Sequence, residues 1–143
     1  MSSSTDRQVR TVVDALVSAI RAKDVDAMMK HYAANAVAFD LQPPLQHRGA
    51  AAIRKRATEW FASYEGPLGY EMRDLSVVAD EEVAFCHSLN GSKGTRAGGA
   101  KGEMWWRETN GFRRVNGEWV ITHVHISQPF DVATGLARLD LKE

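Results

Sequence analysis

The stretch from His31 to Trp60, HYAANAVAFDLQPPLQHRGAAAIRKRATEW, contains the features that decide the fold. Its apolar residues predict a strand over 36–41 that carries Asp40 near its end, and Pro43-Pro44 forces a break directly afterwards. An alanine-rich helix is predicted to start near Gly49. The order of strand, lone carboxylate, turn and helix places one acidic side chain at the end of an apolar element.

Two helices are predicted before this stretch. Thr5 and Gln8 have the spacing of a capping box, and Asp24 can cap a short second helix that runs to about residue 32. The first helix has one apolar face, since its large aliphatic residues recur at helical spacing: Val9, Val12, Val13, Leu16, Val17 and Ile20.

After Gly66-Pro67, which is predicted to stop the third helix, the apolar period changes to two residues. Strands are predicted over 70–79, 82–90, 103–115 and 118–128, the last pair joined by an Asn116-Gly117 turn. The glycine-rich segment 91–102 is predicted to be a mobile loop or a pocket lid. Helices followed by a strand meander predict an α+β fold, with three N-terminal helices on one face of a curved, mainly antiparallel sheet.

Length and composition exclude several classes of protein. The 143 residues fit one domain over 1–143, with a disordered start at 1–4 and a C-terminal tail at 130–143. Lysine plus arginine and aspartate plus glutamate both number 18, so no basic excess indicates a nucleic-acid partner. The sequence contains no apolar run of about 20 residues, the length that spans a bilayer, so we expect no membrane partner. The single Cys86 favours a reducing, cytoplasmic location.

The tail is apolar for a chain terminus. It contains Phe130, Val132, Leu136, Leu139 and Leu141. We therefore expect it to dock either on its own chain or on a second subunit.

The order of elements over residues 5–129 resembles the ketosteroid-isomerase-like superfamily, also called SnoaL-like or nuclear transport factor 2-like. The segments DEEVAFCHSLNG and ETNGFRRVNGEWVITHVHISQP are also similar to the association domain of calcium/calmodulin-dependent kinase II. The resemblance implies a cone-shaped half-barrel closed by helices, a deep apolar cavity and a homodimer. Members include isomerases, cyclases, dehydratases and structural assembly domains, so the fold alone does not identify the chemistry.

Three residues are candidates for catalysis. The resemblance implies that Asp40 is a general base at the cavity mouth, where desolvation would raise the pKa of its carboxyl. The alternative is an ordinary strand-end aspartate bonded to the following turn, to His47 or to Arg48. Tyr32 matches a pocket tyrosine of the isomerases, although it could equally belong to the core. His87 would form an acid–base pair with Asp40 if its strand face is buried, and is otherwise a core or subunit-contact histidine.

Departures from the isomerase pattern exclude a true steroid isomerase. Leu16 stands where those enzymes have an oxyanion-hole tyrosine, and the second acid falls near Thr109, or at Glu108 or Asn110 if the alignment shifts by one. Loss of one oxyanion donor typically costs about 10²–10³ in rate.

The resemblance further predicts which residues line the ligand pocket. Trp105 and Trp106 must face opposite sides of their strand, so one of them can line it. The predicted pocket residues are Leu16, Trp60, Trp105, Arg107, Thr109, Val124 and Ile126.

Two further histidines, His123 and His125, share one strand face. They are predicted to lie with Trp119, Ile121 and Ser127, opposite a pocket face that consists of Val120, Thr122, Val124 and Ile126. A zinc site needs further ligands, so we expect no metal and no cofactor.

Two functions are consistent with the sequence. The first is a small-molecule pocket protein, with cofactor-independent acid–base chemistry on an apolar enolisable substrate, in which Asp40 is the base and Tyr32 or His87 a hydrogen-bond partner. The alternative is a non-catalytic ligand-binding or homo-oligomer assembly domain, which the missing oxyanion donors favour.

Overall fold

The computed structural model describes residues 3–142 and confirms the α+β architecture. Three helices pack on a six-stranded sheet of order β2-β1-β6-β5-β4-β3. All neighbouring strands are antiparallel except β1 and β6. In chain order the elements are α1 (Ser4–Arg21), α2 (Val25–Met29), β1 (Tyr32–Phe39), β2 (His47–Arg48), α3 (Ala50–Ala62), β3 (Tyr64–Ala79), β4 (Val83–Arg96), β5 (Lys101–Val115) and β6 (Glu118–Ser127).

The first helix begins earlier than predicted. Ser3 is its N-cap, and the Ser3 hydroxyl accepts a hydrogen bond of 3.0 Å from the backbone N–H of Asp6. The predicted Thr5–Gln8 capping box and the predicted disorder of Ser4 are therefore wrong, because a serine two residues before Thr5 satisfies the helix end. Met1 and Ser2, which belong to the same predicted disordered start, lie outside the described residues.

The apolar face of α1 forms the centre of the core. Val9, Val13 and Leu16 are buried, and the helix packs mainly on β3. The carboxamide oxygen of Gln8 anchors the helix to the far strands, since it accepts hydrogen bonds from Trp119 Nε1 and Arg114 Nη2. The second helix has the predicted N-cap, Asp24, but it ends at Met29 rather than near residue 32, because β1 begins at Tyr32.

Strands β3 and β4 are longer than predicted from the positions of the glycines. β3 begins at Tyr64 and continues through Gly66-Pro67, and β4 continues to Arg96. The prediction of a mobile loop or lid over 91–102 is therefore wrong, since residues 97–100 alone separate the strands. A Cβ at Gly91 would lie 2.6 Å from Trp105 Cε2, so this glycine permits close packing rather than mobility.

A register shift in β6 changes which of its residues face inward. Gly111 pairs with His123 whereas Phe112 pairs with Ile121, so Thr122 is an extra residue in the ladder. Trp119 and Ile121 are buried on the inner face as a result. The predicted alternation, which grouped them with the histidines, is wrong upstream of this bulge.

None of the helices within residues 3–142 is long and apolar enough to cross a membrane.

Gly91→Ala should destabilise the fold, because the new methyl group collides with the rigid indole of Trp105. We expect a loss of about 1–3 kcal/mol in the free energy of unfolding, measured by chemical denaturation. Gly102→Ala is the matched control, since the nearest atom to its Cβ is Arg96 Nε at 3.7 Å. Equal stabilities of the two variants would contradict the packing assignment.

Candidate functional site

A cavity of about 420 Å³ lies between the inner face of the sheet, α3 and the C-terminal tail. Its volume is in the range of small-molecule sites. Exposed residues such as Gln42 and Leu139 mark the end that opens to solvent, and buried residues such as Tyr70 and Trp106 form the deep end. The ionisable side chains that line it are Tyr32, Asp40, His47, Arg56, Tyr70, Arg96 and Glu108.

Asp40 lies on this cavity, directly after the end of β1. Its Oδ1 accepts a hydrogen bond of 2.6 Å from the backbone N–H of Leu41, and its Oδ2 lies 3.4 Å from Arg56 Nε. Both side chains are largely buried, with 16% of Asp40 and 20% of Arg56 exposed. A carboxylate and a guanidinium therefore lie side by side on the wall.

Glu108 is a second carboxyl group on the cavity wall, projecting from β5. Trp106 Nε1 donates a hydrogen bond of 3.1 Å to Oε1, and Asn110 Nδ2 donates one of 3.2 Å to Oε2. Burial raises the pKa of the Glu108 carboxyl, and the charge of Asp40 adds to this effect, whereas the two donors oppose it. The environment therefore favours the neutral acid more than water does.

Two tyrosines complete the polar part of the cavity. Burial, followed by the charges of Glu108 and Asp40, raises the pKa of the Tyr32 hydroxyl above its usual range. Burial likewise raises the pKa of Tyr70, whose hydroxyl accepts a hydrogen bond of 2.6 Å from Asn90 Nδ2. Both phenols are therefore held neutral and can donate a hydrogen bond.

Aromatic and aliphatic side chains form the remainder of the wall. Trp60 of α3 packs edge-on against Tyr70 and Trp106, with ring centroids 6.1 and 6.0 Å apart. Val124 and Ile126 of β6 and Met104 of β5 also line the space. The cavity is suited to an apolar, ring-like molecule that a few polar groups orient.

The structure brings five of the predicted site residues to this cavity: Tyr32, Asp40, Trp60, Val124 and Ile126. Four others lie on the outer face of the sheet. Thr109 pairs with His87 and His125, and Arg107 Nε donates to Ser127 Oγ. Trp105 packs on Gly91, and its Nε1 donates to Glu103. The predictions that His87, Trp105, Arg107 and Thr109 face the cavity are corrected accordingly.

The error at His87 has a physical cause. The prediction took the apolar face of β4, with Phe85 and Leu89, as the buried one. In the structure Phe85 is 46% exposed, and the buried face is the opposite one, which carries Ala84, Cys86, Ser88 and Asn90. Ser88 Oγ donates to Asn90 Oδ1 and thereby orients the amide toward Tyr70.

Leu16 also lies away from the cavity, in the core between α1 and the sheet. Ile20, one turn later on the same helix face, is the α1 residue that lines it. Sequence reasoning missed Tyr70, Arg56 and His47, while Trp106 and Glu108 were alternatives that it had left open. Two-residue alternation along β5 would have selected both, because it places Trp106 and Glu108 on one face.

The two histidines of β6 lie on the outer face. His123 Nδ1 donates to the carbonyl oxygen of Val37 at 2.8 Å, and Phe39 packs edge-on against His123 and His125. Within the described part of the chain no three His, Cys, Asp or Glu side chains are grouped to hold a metal ion.

The C-terminal tail folds back on its own chain. A β-bridge joins Phe130 to Ala137, and Ala137 and Leu139 reach the cavity. Lys142 Nζ lies 3.5 Å from Glu103 Oε2. Val132 is nevertheless 87% exposed, so the apolar side chains of the tail are only partly buried by contacts within the chain.

The buried acid makes stability depend on pH. Folding raises the pKa of the Glu108 carboxyl above its unfolded value, near 4.5. The protonated carboxyl therefore contributes its full stability below that unfolded pKa, and this contribution is lost as the pH rises through the folded pKa. Relative to Glu108→Gln, we expect the wild type to lose unfolding free energy across that window. Denaturation at a series of pH values measures this loss. Glu82→Gln, at an exposed position, is the control, and parallel curves for wild type and Glu108→Gln would contradict the prediction.

Known proteins share this fold and its order of elements. The family model of the SnoaL-like domain matches residues 9–131. An NTF2-like protein of unknown function from Pseudomonas putida KT2440 is 31% identical and superimposes with a TM-score of 0.89, over 100% of this chain and 99% of that one. No curated protein matches the chain significantly.

Two more distant structures share the fold alone. A ketosteroid isomerase-like protein from Erwinia carotovora atroseptica SCRI1043 is 18% identical, with a TM-score of 0.73 over 87% of this chain and 96% of that one. The association domain of C. elegans CaMKII is 17% identical, with a TM-score of 0.68 over 85% and 93%.

Proposed function

The chain belongs to the SnoaL-like domain family, and we propose that its cavity performs cofactor-independent acid–base chemistry on an apolar, enolisable substrate. The reaction class is isomerisation, cyclisation or dehydration. One observation carries the proposal: two carboxyl groups line one apolar cavity in different environments. Asp40 lies beside a guanidinium, whereas Glu108 lies among aromatic side chains. Two carboxyl groups whose environments shift their pKa values differently can act as a base and an acid in one reaction.

The roles follow from these environments. Asp40, as the carboxylate, removes the proton from the carbon next to a substrate carbonyl. Glu108, as the neutral acid, donates a hydrogen bond to the oxygen on which negative charge develops. Tyr32 interacts electrostatically with both carboxyls and supplies a second donor. His87 has no part in this scheme, and Glu108 takes the place that the sequence had assigned to a residue near Thr109.

Proton exchange tests the chemistry without requiring the natural substrate. We expect wild type to accelerate deuterium exchange at the α-carbon of 2-tetralone, a neutral ring ketone, as followed by proton NMR in D₂O. Asp40→Asn should reduce the acceleration about a hundredfold or more, because the amide cannot accept the proton. Asp14→Asn, at an exposed site on α1, is the control. Absence of exchange above the buffer rate would favour a non-catalytic pocket.

The second candidate function is homo-oligomer assembly. The outer face of the sheet carries an apolar patch, with Val78, Val83 and Phe85 each about half exposed, at 54%, 45% and 46%. Val78 and Phe85 are directly paired across β3 and β4. An exposed apolar patch on a sheet indicates an interaction surface. Because one structural neighbour is an association domain, we propose that a second copy of this chain covers the face as a homodimer.

Light scattering coupled to size exclusion tests the assembly. Wild type should elute with the mass of a dimer, and Phe85→Glu should shift the population to monomer, since it buries a charge in the proposed contact. Leu45→Glu makes the same substitution at a residue that is 97% exposed and lies outside the sheet, so it should leave the dimer intact. A monomeric wild type would contradict the proposed homodimer.

A further inference from the structure

The cavity contains a guanidinium with an unused hydrogen-bond donor. Arg56 projects from α3, and its Nε is buried without a hydrogen-bond partner among residues 3–142. Asp40 Oδ2 lies 3.4 Å from this nitrogen, so the two side chains form an ion pair but not a hydrogen bond. Buried donors of this kind are normally satisfied, and a charged one most of all.

A second cavity residue has the same property. His47 of β2 lines the cavity, and its Nε2 is also buried without a partner in the described chain. Arg96, the other guanidinium of the lining, is already engaged, because it stacks at 4.5 Å over the Tyr64 ring and donates to Ser63 Oγ. Among the described residues of the lining, the buried nitrogens without a partner are therefore Arg56 Nε and His47 Nε2.

Besides His47 and the two tyrosines, the charged or titratable groups of the lining are the guanidiniums of Arg56 and Arg96 and the carboxyl groups of Asp40 and Glu108. Burial raises the pKa of the Glu108 carboxyl and so disfavours a second negative charge on the wall. Guanidinium groups bind carboxylates by paired, charge-assisted hydrogen bonds.

From these observations we infer that the cavity takes a ring-like apolar molecule bearing a carboxylate, and that Arg56 binds this carboxylate with His47 as an additional polar contact. The apolar body packs on Trp60, Trp106 and Met104. Arg56 thus determines specificity for an anionic over a neutral ligand. The inference specifies the substrate class of the function proposed above and rests on the cavity being the ligand site.

Matched ligand pairs test the inference by binding alone. Calorimetric titrations compare 2-naphthoate with 2-naphthamide, and cyclohexanecarboxylate with its amide, at constant ionic strength. Wild type should prefer each carboxylate by about tenfold, the factor expected of one charge-assisted hydrogen bond. Arg56→Gln should abolish the preference and leave amide binding unchanged. Lys55→Gln removes a charge from the neighbouring exposed residue and should retain it.

Two further variants keep the test decisive if Arg56→Gln does not fold. Arg56→Lys preserves the charge without the planar fork and should retain part of the preference. Asp40→Asn removes the competing carboxylate, so carboxylates should bind more tightly while amides do not. The inference is overturned if carboxylates fail to bind wild type, if acid and amide bind equally, if the preference survives Arg56→Gln, or if Asp40→Asn leaves carboxylate affinity unchanged.

The results also separate this inference from the proposed chemistry. A carboxylate preference without Asp40-dependent proton exchange would mean an anion-binding pocket that is not catalytic. Exchange of neutral ketones without any carboxylate preference would leave the chemistry intact and refute the role of Arg56.

Discussion

The site depends on one buried carboxyl group, that of Glu108. An acid on the wall of an apolar cavity has to be either neutral or surrounded by donors, and here it receives hydrogen bonds from the Trp106 indole and the Asn110 amide. The next strand continues this polar inner face, where Asn90 is oriented by Ser88 and bonds to the Tyr70 hydroxyl. The inner face of β4 therefore carries Ser88 and Asn90 beside the core residues Ala84 and Cys86, whereas Val83 and Phe85 on its outer face are about half exposed.

The two faces of the sheet connect the proposed chemistry with the proposed assembly. Phe85 of β4 and its partner Val78 of β3 point outward, where they remain about half exposed in one chain. A second copy that covers this face would bury them. The same sheet would thus present a ligand on one side and a subunit contact on the other, so the two functions proposed are compatible rather than exclusive.

The fold was predictable from the sequence because its signals are local. The apolar stripe of α1, the Asp24 cap and the Asn116-Gly117 hairpin each require only neighbouring residues. Asp40 could also be placed, since a lone carboxylate follows an apolar strand. The errors arose where distant residues decide the outcome. The sequence indicates flexibility at Gly91, whereas in the structure this glycine makes room for the indole of Trp105, a contact between distant residues. Asn90 can face inward on β4 because its amide bonds to Tyr70, which is 20 residues away in the chain. The faces of β6 change at a bulge at Thr122, and the sequence around Thr122 does not indicate that bulge.

The proposed chemistry requires Glu108 to keep its proton at pH values where exposed glutamates have ionised, and a carbon-13 NMR titration of the side-chain carboxyl carbons of Glu108 and Asp40 measures this. Glu108→Gln and Asp40→Asn assign the two resonances. Because burial raises the pKa of the Glu108 carboxyl, its resonance should keep its protonated chemical shift at pH values where exposed glutamates have already ionised. A Glu108 resonance that titrates with the exposed glutamates would contradict the account and remove the acid from the proposed mechanism.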